Sequence, residues 1–298
     1  MMPAATDTLT TQDARQGRTR RHWLPALVLL PFALLMILFQ LAPMVWVLVG
    51  SFQTPDGWGL AHYREILSSP FYLQSFGNSF RIAGIASLAG LAIGTLGAAA
   101  LRHSGEGIKR LLLAFVTMTS NFSGVPLAFA FIIVLGINGA ITLLLKSWGW
   151  IDGFNLYSGS GLILIYTYFQ IPLALLLLYP AFDTLQDDWP QAAALLGASK
   201  RQYVWHVALP VLTPALLGTL IILFANAVGA YASAYALTTG NFNLVTIRVA
   251  SLVSGDIFLE PNLAAALAVI LMVLLGVVTA ANQWLLKRSY VNKGNQHA

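Results

Sequence analysis

Cysteine is absent from this 298-residue chain, and charge is nearly so. The first absence excludes a disulfide framework, a thiolate metal site and a cysteine nucleophile. The second says more. Only 9% of the residues are Asp, Glu, Lys or Arg, against about 25% in soluble domains. Six stretches carry none of these: 23–55, 82–101, 111–145, 153–182, 202–247 and 261–286. The shortest is 20 residues long, and about 20 apolar residues cross a bilayer as a helix. A soluble globular domain, a disordered chain and a secreted disulfide scaffold are excluded. So is an outer-membrane barrel, whose strands are far shorter and alternate in polarity. A Gly-x-x-x-x-Gly-Lys-[Ser/Thr] loop is missing too, so the chain has no P-loop with which to bind ATP.

Backbone groups in lipid must bond internally, so the apolar stretches are expected to be helices. The pattern predicts spans at Leu24–Gly50, Ser79–Leu101, Leu111–Gly136, Leu162–Phe182, Val211–Leu237 and Asn262–Leu286. The 202–247 stretch is read as one span because Pro210 and Pro214 come early and residues 238–243 are polar. The 111–145 stretch is read as one because Asn138-Gly139 is a turn signal. The polar segment Met1–His22 precedes an apolar run too long for a signal peptide, whose apolar region is about 7–15 residues. The expected organisation is a tail over 1–22, a transmembrane domain over 23–288 and a second tail over 289–298.

The basic excess, with a pI near 9.6, collects at the ends of the spans. That is the orientation signal of a membrane protein, not a nucleic-acid stripe. Arg15, Arg18, Arg20, Arg21, Arg102, Lys109, Arg110, Lys200, Arg201, Lys287, Arg288 and Lys293 fall on one side. Arg64, Arg81, Lys146 and Arg248 fall on the other. Both tails are therefore expected in the cytoplasm. Trp46, Trp58, Trp148, Trp150 and Tyr157 fall near the external edges, as interfacial anchors do.

The connection Asp183–Pro210 is too long for a tight turn. Asp188-Trp189-Pro190-Gln191 reads as a helix start with a capping box. Gly197 ends or bends that helix. Ser199 caps a second one, which Pro210 stops. The spacing is specific: Gln191-Ala192-Ala193, three residues, Gly197, nine residues, Val207, one residue, Leu209-Pro210. It resembles the EAA loop of permease subunits of binding-protein-dependent ABC importers, with Gln191 for Glu and Val207 for Ile. Tyr63 and Asn78-Ser79 resemble the lead-in to their transmembrane core, and the six-span layout is also similar. Within that family the chain looks most like the polyamine (spermidine/putrescine) type.

The resemblance implies a type I permease fold, all-α, with cytoplasmic coupling helices between spans four and five. It implies a pore formed by two permease subunits, as a homodimer or heterodimer. Two ABC ATPases would carry ATP and Mg, so this chain itself would bind no cofactor and catalyse no reaction. An external, periplasmic solute-binding protein would deliver the substrate at the bacterial inner membrane. Gln191, Ala192, Ala193, Gly197, Ser199, Val207, Leu209 and Pro210 would dock the ATPase. The alternative is an ion-coupled secondary transporter. It calls for ionisable groups inside the membrane, and the six expected spans hold no Asp or Glu in their interiors. A membrane enzyme would have to use Asp187-Asp188 with His206, or His103 with Glu106, and neither set forms a triad or metal site.

Polar residues inside spans face a partner helix or a pore. Here those are Gln40, Asn121, Ser123, Asn226, Ser233, Tyr231 and Tyr235, of which Asn226, Tyr231 and Tyr235 are the substrate-pathway candidates. Gly84, Gly90, Gly94 and Gly97 read as close-packing positions. A polycationic substrate would want acidic residues, for which only Asp256 and Glu260 are at hand, with Arg248 beside them.

Overall fold

The computed structural model describes residues 23–294 except 56, 152–153 and 255–258, with side chains over 29–284. The tail over 1–22, the residues beyond Gly294 and Asp256 lie outside the described residues. The elements in order are α1 (Trp23–Met36), a π-helical turn (Ile37–Leu41), α2 (Ala42–Gly50), β1 (Gln53–Thr54), β2 (Gly57–Trp58), α3 (Ala61–Ser68), α4 (Pro70–Arg102), α5 (Glu106–Ser120) and α6 (Val125–Leu135). Then come α7 (Ala140–Ser147), α8 (Gly159–Phe182), α9 (Trp189–Leu195), α10 (Lys200–Tyr203), a second π-helical turn (Val204–Ala208), α11 (Leu209–Gly229), α12 (Ala232–Thr238), α13 (Val245–Ser254) and α14 (Pro261–Gly294). β1 and β2 pair as a small antiparallel hairpin. The fold is all-α.

Six segments are long and apolar enough to cross a membrane: Leu29–Gly50, Pro70–Arg102, Val125–Ser147, Gly159–Phe182, Lys200–Gly229 and Pro261–Trp284. Packing refines the third. α4 and α8 touch at Gly90 against Gln170, Gly94 against Ala174 and Gly97 against Leu175. Residue numbers rise together on both helices, so they run parallel. The chain between them must therefore return across the membrane once. α5 and α6 together make that return, and α7 packs beside α6 after a turn at 136–139. Hydropathy favours Val125–Ser147 because α5 carries Glu106, Lys109 and Arg110, but α5 packs along α8, which favours 106–135 as the return.

Two expected spans differ in form. The third is interrupted between Ser120 and Val125 instead of running unbroken over 111–136. The fifth stops at Gly229 and restarts at Ala232 instead of continuing to Leu237. Pro210 does not stop a helix either. It stands in the first turn of α11, directly after the π-helical turn. That wider turn absorbs the donor that proline lacks, so α10 and α11 run on as one rod. α14 continues past the expected start of the tail at 289 to Gly294.

The α4–α8 contact depends on missing side chains. A Cβ on Gly90 would stand 2.6 Å from the Gln170 Cβ, and one on Gly94 would stand 2.5 Å from the Ala174 Cβ. Gly84 has nothing within 4 Å and is no part of that seam. α11 covers α4 and α8, and α14 packs on α2 and α13. In the N-terminal half of α4 the Asn78-Ser79 pair ties that helix to the start of α13. Asn78 Nδ2 donates to the Asn243 carbonyl, and Ser79 Oγ accepts from the Val245 N–H. Tyr63 OH donates to Ser51 Oγ at 2.6 Å. Arg248 donates to the Gly240 and Phe242 carbonyls and lies over the Phe71 ring; burial lowers its pKa from the ordinary guanidinium value.

Candidate coupling surface and translocation cavity

Two places carry functional geometry. The first is the cap formed by α9 and α10. α9 ends in a Schellman motif: the Ala198 N–H bonds the Ala193 carbonyl and the Gly197 N–H bonds the Ala194 carbonyl. Gly197 sits at φ +82, a left-handed conformation that glycine adopts without cost. The chain then reverses into α10, where Ser199 and Gln202 form a reciprocal capping box. No such box forms at Asp188 and Gln191. Asp188 already has helical φ and ψ and makes no side-chain cap bond. Pro190, at the second helical position, has no N–H to offer it. Gln191 and Ala192 are exposed, Ala193 is half-buried, and Val207, Leu209 and Pro210 line the start of the long rod.

The sequence pattern does not single out the two residues that stand out most on this cap. Leu195 and Leu196 are 90% and 89% exposed. Trp205 and Val204 are exposed on the adjoining rod. The signal was available: paired leucines in a segment that leaves the membrane have nothing of their own to bury against.

The second place is the meeting of the two interrupted spans. Gly124 takes φ +73 and α6 restarts with Pro126 in its first turn. One hydrogen bond ties the second break to the first, and another ties the second break to α8. Ser233 Oγ donates to the Gly124 carbonyl at 3.1 Å, and Tyr166 OH donates to the Ala230 carbonyl at 2.6 Å. A cavity of about 680 Å³ opens there, lined by Ser120, Ser123, Phe169, Asn226, Tyr231 and Ser233 among others, with no charged residue among them. Breaks in spanning helices are tolerated where they line a cavity, and in transporters they mark binding sites. Of the three pathway candidates, Asn226 and Tyr231 line this space. Tyr235 lies outside the lining; its ring stacks on Tyr231 at 5.3 Å and rests over Gly240. Gln40 is exposed in the first π-helical turn, away from the cavity.

Beneath the cavity lies a buried amide that the sequence pattern also misses. Gln170 is 0% exposed and bridges three helices. Its Nε2 donates to the Leu223 carbonyl and to Ser87 Oγ, and its Oε1 accepts from Asn226 Nδ2 at 3.3 Å. A carbonyl only accepts, so Leu223 fixes the orientation of the Gln170 amide, and Gln170 in turn fixes that of Asn226. Asn226 is left with its Oδ1 as the free, acceptor end. Among the described residues, no group of three or more His, Asp or Glu gathers as a metal site would require.

A helical bundle with six apolar segments, an exposed two-helix cap between the fourth and fifth, and a cavity at paired helix breaks defines a polytopic transport subunit. The chain belongs to the family of binding-protein-dependent transport system inner membrane components, whose family model matches residues 90–290. It is thus an inner-membrane permease of the ABC-importer class. It is 27% identical to the trehalose/maltose transport system permease protein of Thermococcus litoralis, over 74% of this chain and 78% of that one. It is 26% identical to the spermidine/putrescine transport system permease protein of Haemophilus influenzae, over 84% and 91%. It is 28% identical to the sulfate transport system permease protein of Escherichia coli, over 64% and 63%. Among solved structures, a chain of a bacterial ABC transporter that imports the acidic polysaccharide alginate has the same fold. The TM-score is 0.73 at 17% identity, covering 92% of this chain and 99% of that one.

Proposed function

We propose that this permease takes its driving energy from a separate cytoplasmic ABC ATPase, which carries ATP and Mg and docks on α9 and α10. The observation that carries this is the pair Leu195 and Leu196, 90% and 89% exposed on a cap outside the lipid-facing bundle. Two leucines held in water by a built turn form a knob for a groove on a partner. Both termini lie on the same, cytoplasmic side. A second permease subunit, identical or related, completes the pore, and an external solute-binding protein delivers the substrate. One solved alginate transporter is in complex with a periplasmic protein carrying an alginate pentasaccharide.

The transported solute passes the cavity between the breaks. Its lining is uncharged, and Asn226 offers an acceptor there, which suits a small polar solute bearing hydrogen-bond donors. A polyamine fits that acceptor through its ammonium groups. Among the described residues no carboxylate lines the cavity, so a polyamine would take its counter-charges from the second permease subunit.

The docking reading is tested by Leu195→Ser with Leu196→Ser. Burying a leucine is worth about 1.5–3 kcal/mol. Losing two therefore weakens ATPase association by at least about 100-fold. Co-purification of the ATPase from membranes measures it. Undiminished co-purification would sink the assignment of this surface.

A further inference from the structure

We propose that Arg102 is a positioning residue that stiffens the joint between the transmembrane bundle and the docking cap. The proposal rests on the reading of α9 and α10 as the ATPase-docking surface. α8 stops at Phe182 and α9 starts only at Trp189. The residues between form a run of short turns. The Thr184 N–H bonds the Ala181 carbonyl, the Leu185 N–H bonds Phe182 and the Trp189 N–H bonds Gln186. A joint whose backbone is bonded only in four-residue turns bends more easily than a continuous helix. A push on α9 would be absorbed there before reaching the bundle.

Arg102, the last residue of α4, closes this joint. Its Nη2 donates to the Leu185 carbonyl and to Asp187 Oδ1. The Arg102 side chain is 15% exposed and that of Asp187 is 92% exposed. The asymmetry locates the strength of the contact. An ion pair to so exposed a carboxylate contributes little. Leu185, by contrast, is buried with Phe182, Ala208 and Leu212. Its carbonyl receives a charge-assisted bond in an enclosed setting. Among the described residues, no other side-chain hydrogen bond ties 183–188 to a different helix. Arg102 thus fixes the main chain of the joint to α4. α4 in turn is locked to α8 along the glycine seam at Gly90 and Gly94, so displacement of Leu185 is displacement of the bundle.

The chain holds no cysteine, so a single cysteine at Ala92, on the exposed face of α4, takes one fluorescent label. The complete complex, its other subunits depleted of cysteine, is placed in nanodiscs and given ATP with vanadate. The unaltered complex is expected to shift the label's emission. Arg102→Gln is expected to retain the ATPase and hydrolyse ATP within about two-fold, while the emission shift falls about five-fold with the loss of the bond. Arg102→Lys keeps the charge and reaches one acceptor, and its shift is expected to be intermediate. It serves as the deciding variant if Arg102→Gln fails to assemble. Asp187→Asn is expected to change the shift by less than about two-fold. A full shift in either arginine variant overturns the proposal. So does loss of ATPase binding in Arg102→Lys, which would make Arg102 part of the docking surface. No ATPase binding and no shift in the unaltered complex would instead remove the docking reading, and this one with it.

Discussion

Gly94 gives the sharpest test of how the bundle is held. A methyl group placed there would stand 2.5 Å from the Ala174 Cβ and 3.2 Å from the Leu175 backbone nitrogen. Carbon atoms rest about 3.5–4.0 Å apart. The obstacle is backbone and a Cβ, which no rotamer can move, so Gly94→Ala forces α4 and α8 apart by about 1 Å. Overpacking of this kind costs about 1–3 kcal/mol. The Gln170 Nε2–Ser87 Oγ bond, already 3.3 Å long, stretches beyond hydrogen-bond range and adds about 1 kcal/mol. Alanine returns about 0.5–1 kcal/mol of helix preference over glycine. The net destabilisation is about 1–3 kcal/mol. Unfolding of the purified permease by SDS in mixed micelles, followed by far-UV circular dichroism, measures it. Gly84→Ala is the control, because nothing lies within 4 Å of its new methyl group; it is expected to be neutral or slightly stabilising. If Gly94→Ala proves no more destabilising than Gly84→Ala, the close seam is not what holds these helices together.

Two further outcomes follow from the sites. Gly197→Ala meets no neighbour within 4 Å but must hold φ +82, a strain of about 1 kcal/mol; a titration of the ATPase against the purified permease is expected to show docking about five-fold weaker, with Gly197→Asn nearer to the unaltered chain. Asn226→Leu keeps the side chain's size and removes its acceptor from the cavity; uptake into proteoliposomes is expected to fall about ten-fold, in keeping with loss of one to two hydrogen bonds, and unchanged uptake would take Asn226 out of the pathway.

The six-fold segmentation was legible because bilayer depth forces long charge-free runs, and the chain has six. The cap was legible because its turn chemistry is local: Gly197 needs a left-handed backbone, and Ser199 caps three residues ahead. The capping box was misplaced by one helix. Gln191 satisfies its spacing, but Asp188 already has helical backbone angles and its side chain makes no cap bond. The interruptions were not legible from hydropathy, because Phe122, Val125 and Ala230 are as apolar as the helices around them. Local signals were present in Gly124 with Pro126, and in Gly229. What no local pattern could show is that the two breaks, more than a hundred residues apart, lie against each other. Gln170 escaped notice for a related reason. Its partners Ser87, Leu223 and Asn226 come from two other helices, and only their convergence makes a buried amide affordable.

The hydrogen bond from one interruption to the other has a consequence for inheritance. Ser233 reaches the Gly124 carbonyl only because the chain is kinked at Ala230 and Tyr231. A substitution that let α11 run straight into α12 would swing Ser233 away and leave that carbonyl with the Ala128 N–H of α6 as its one partner, loosening the tie between the two crossings. Straightening the second kink therefore costs the first its contact with α12. Second-site changes that rescue a straightened α11 are expected at 121–126, in a different crossing.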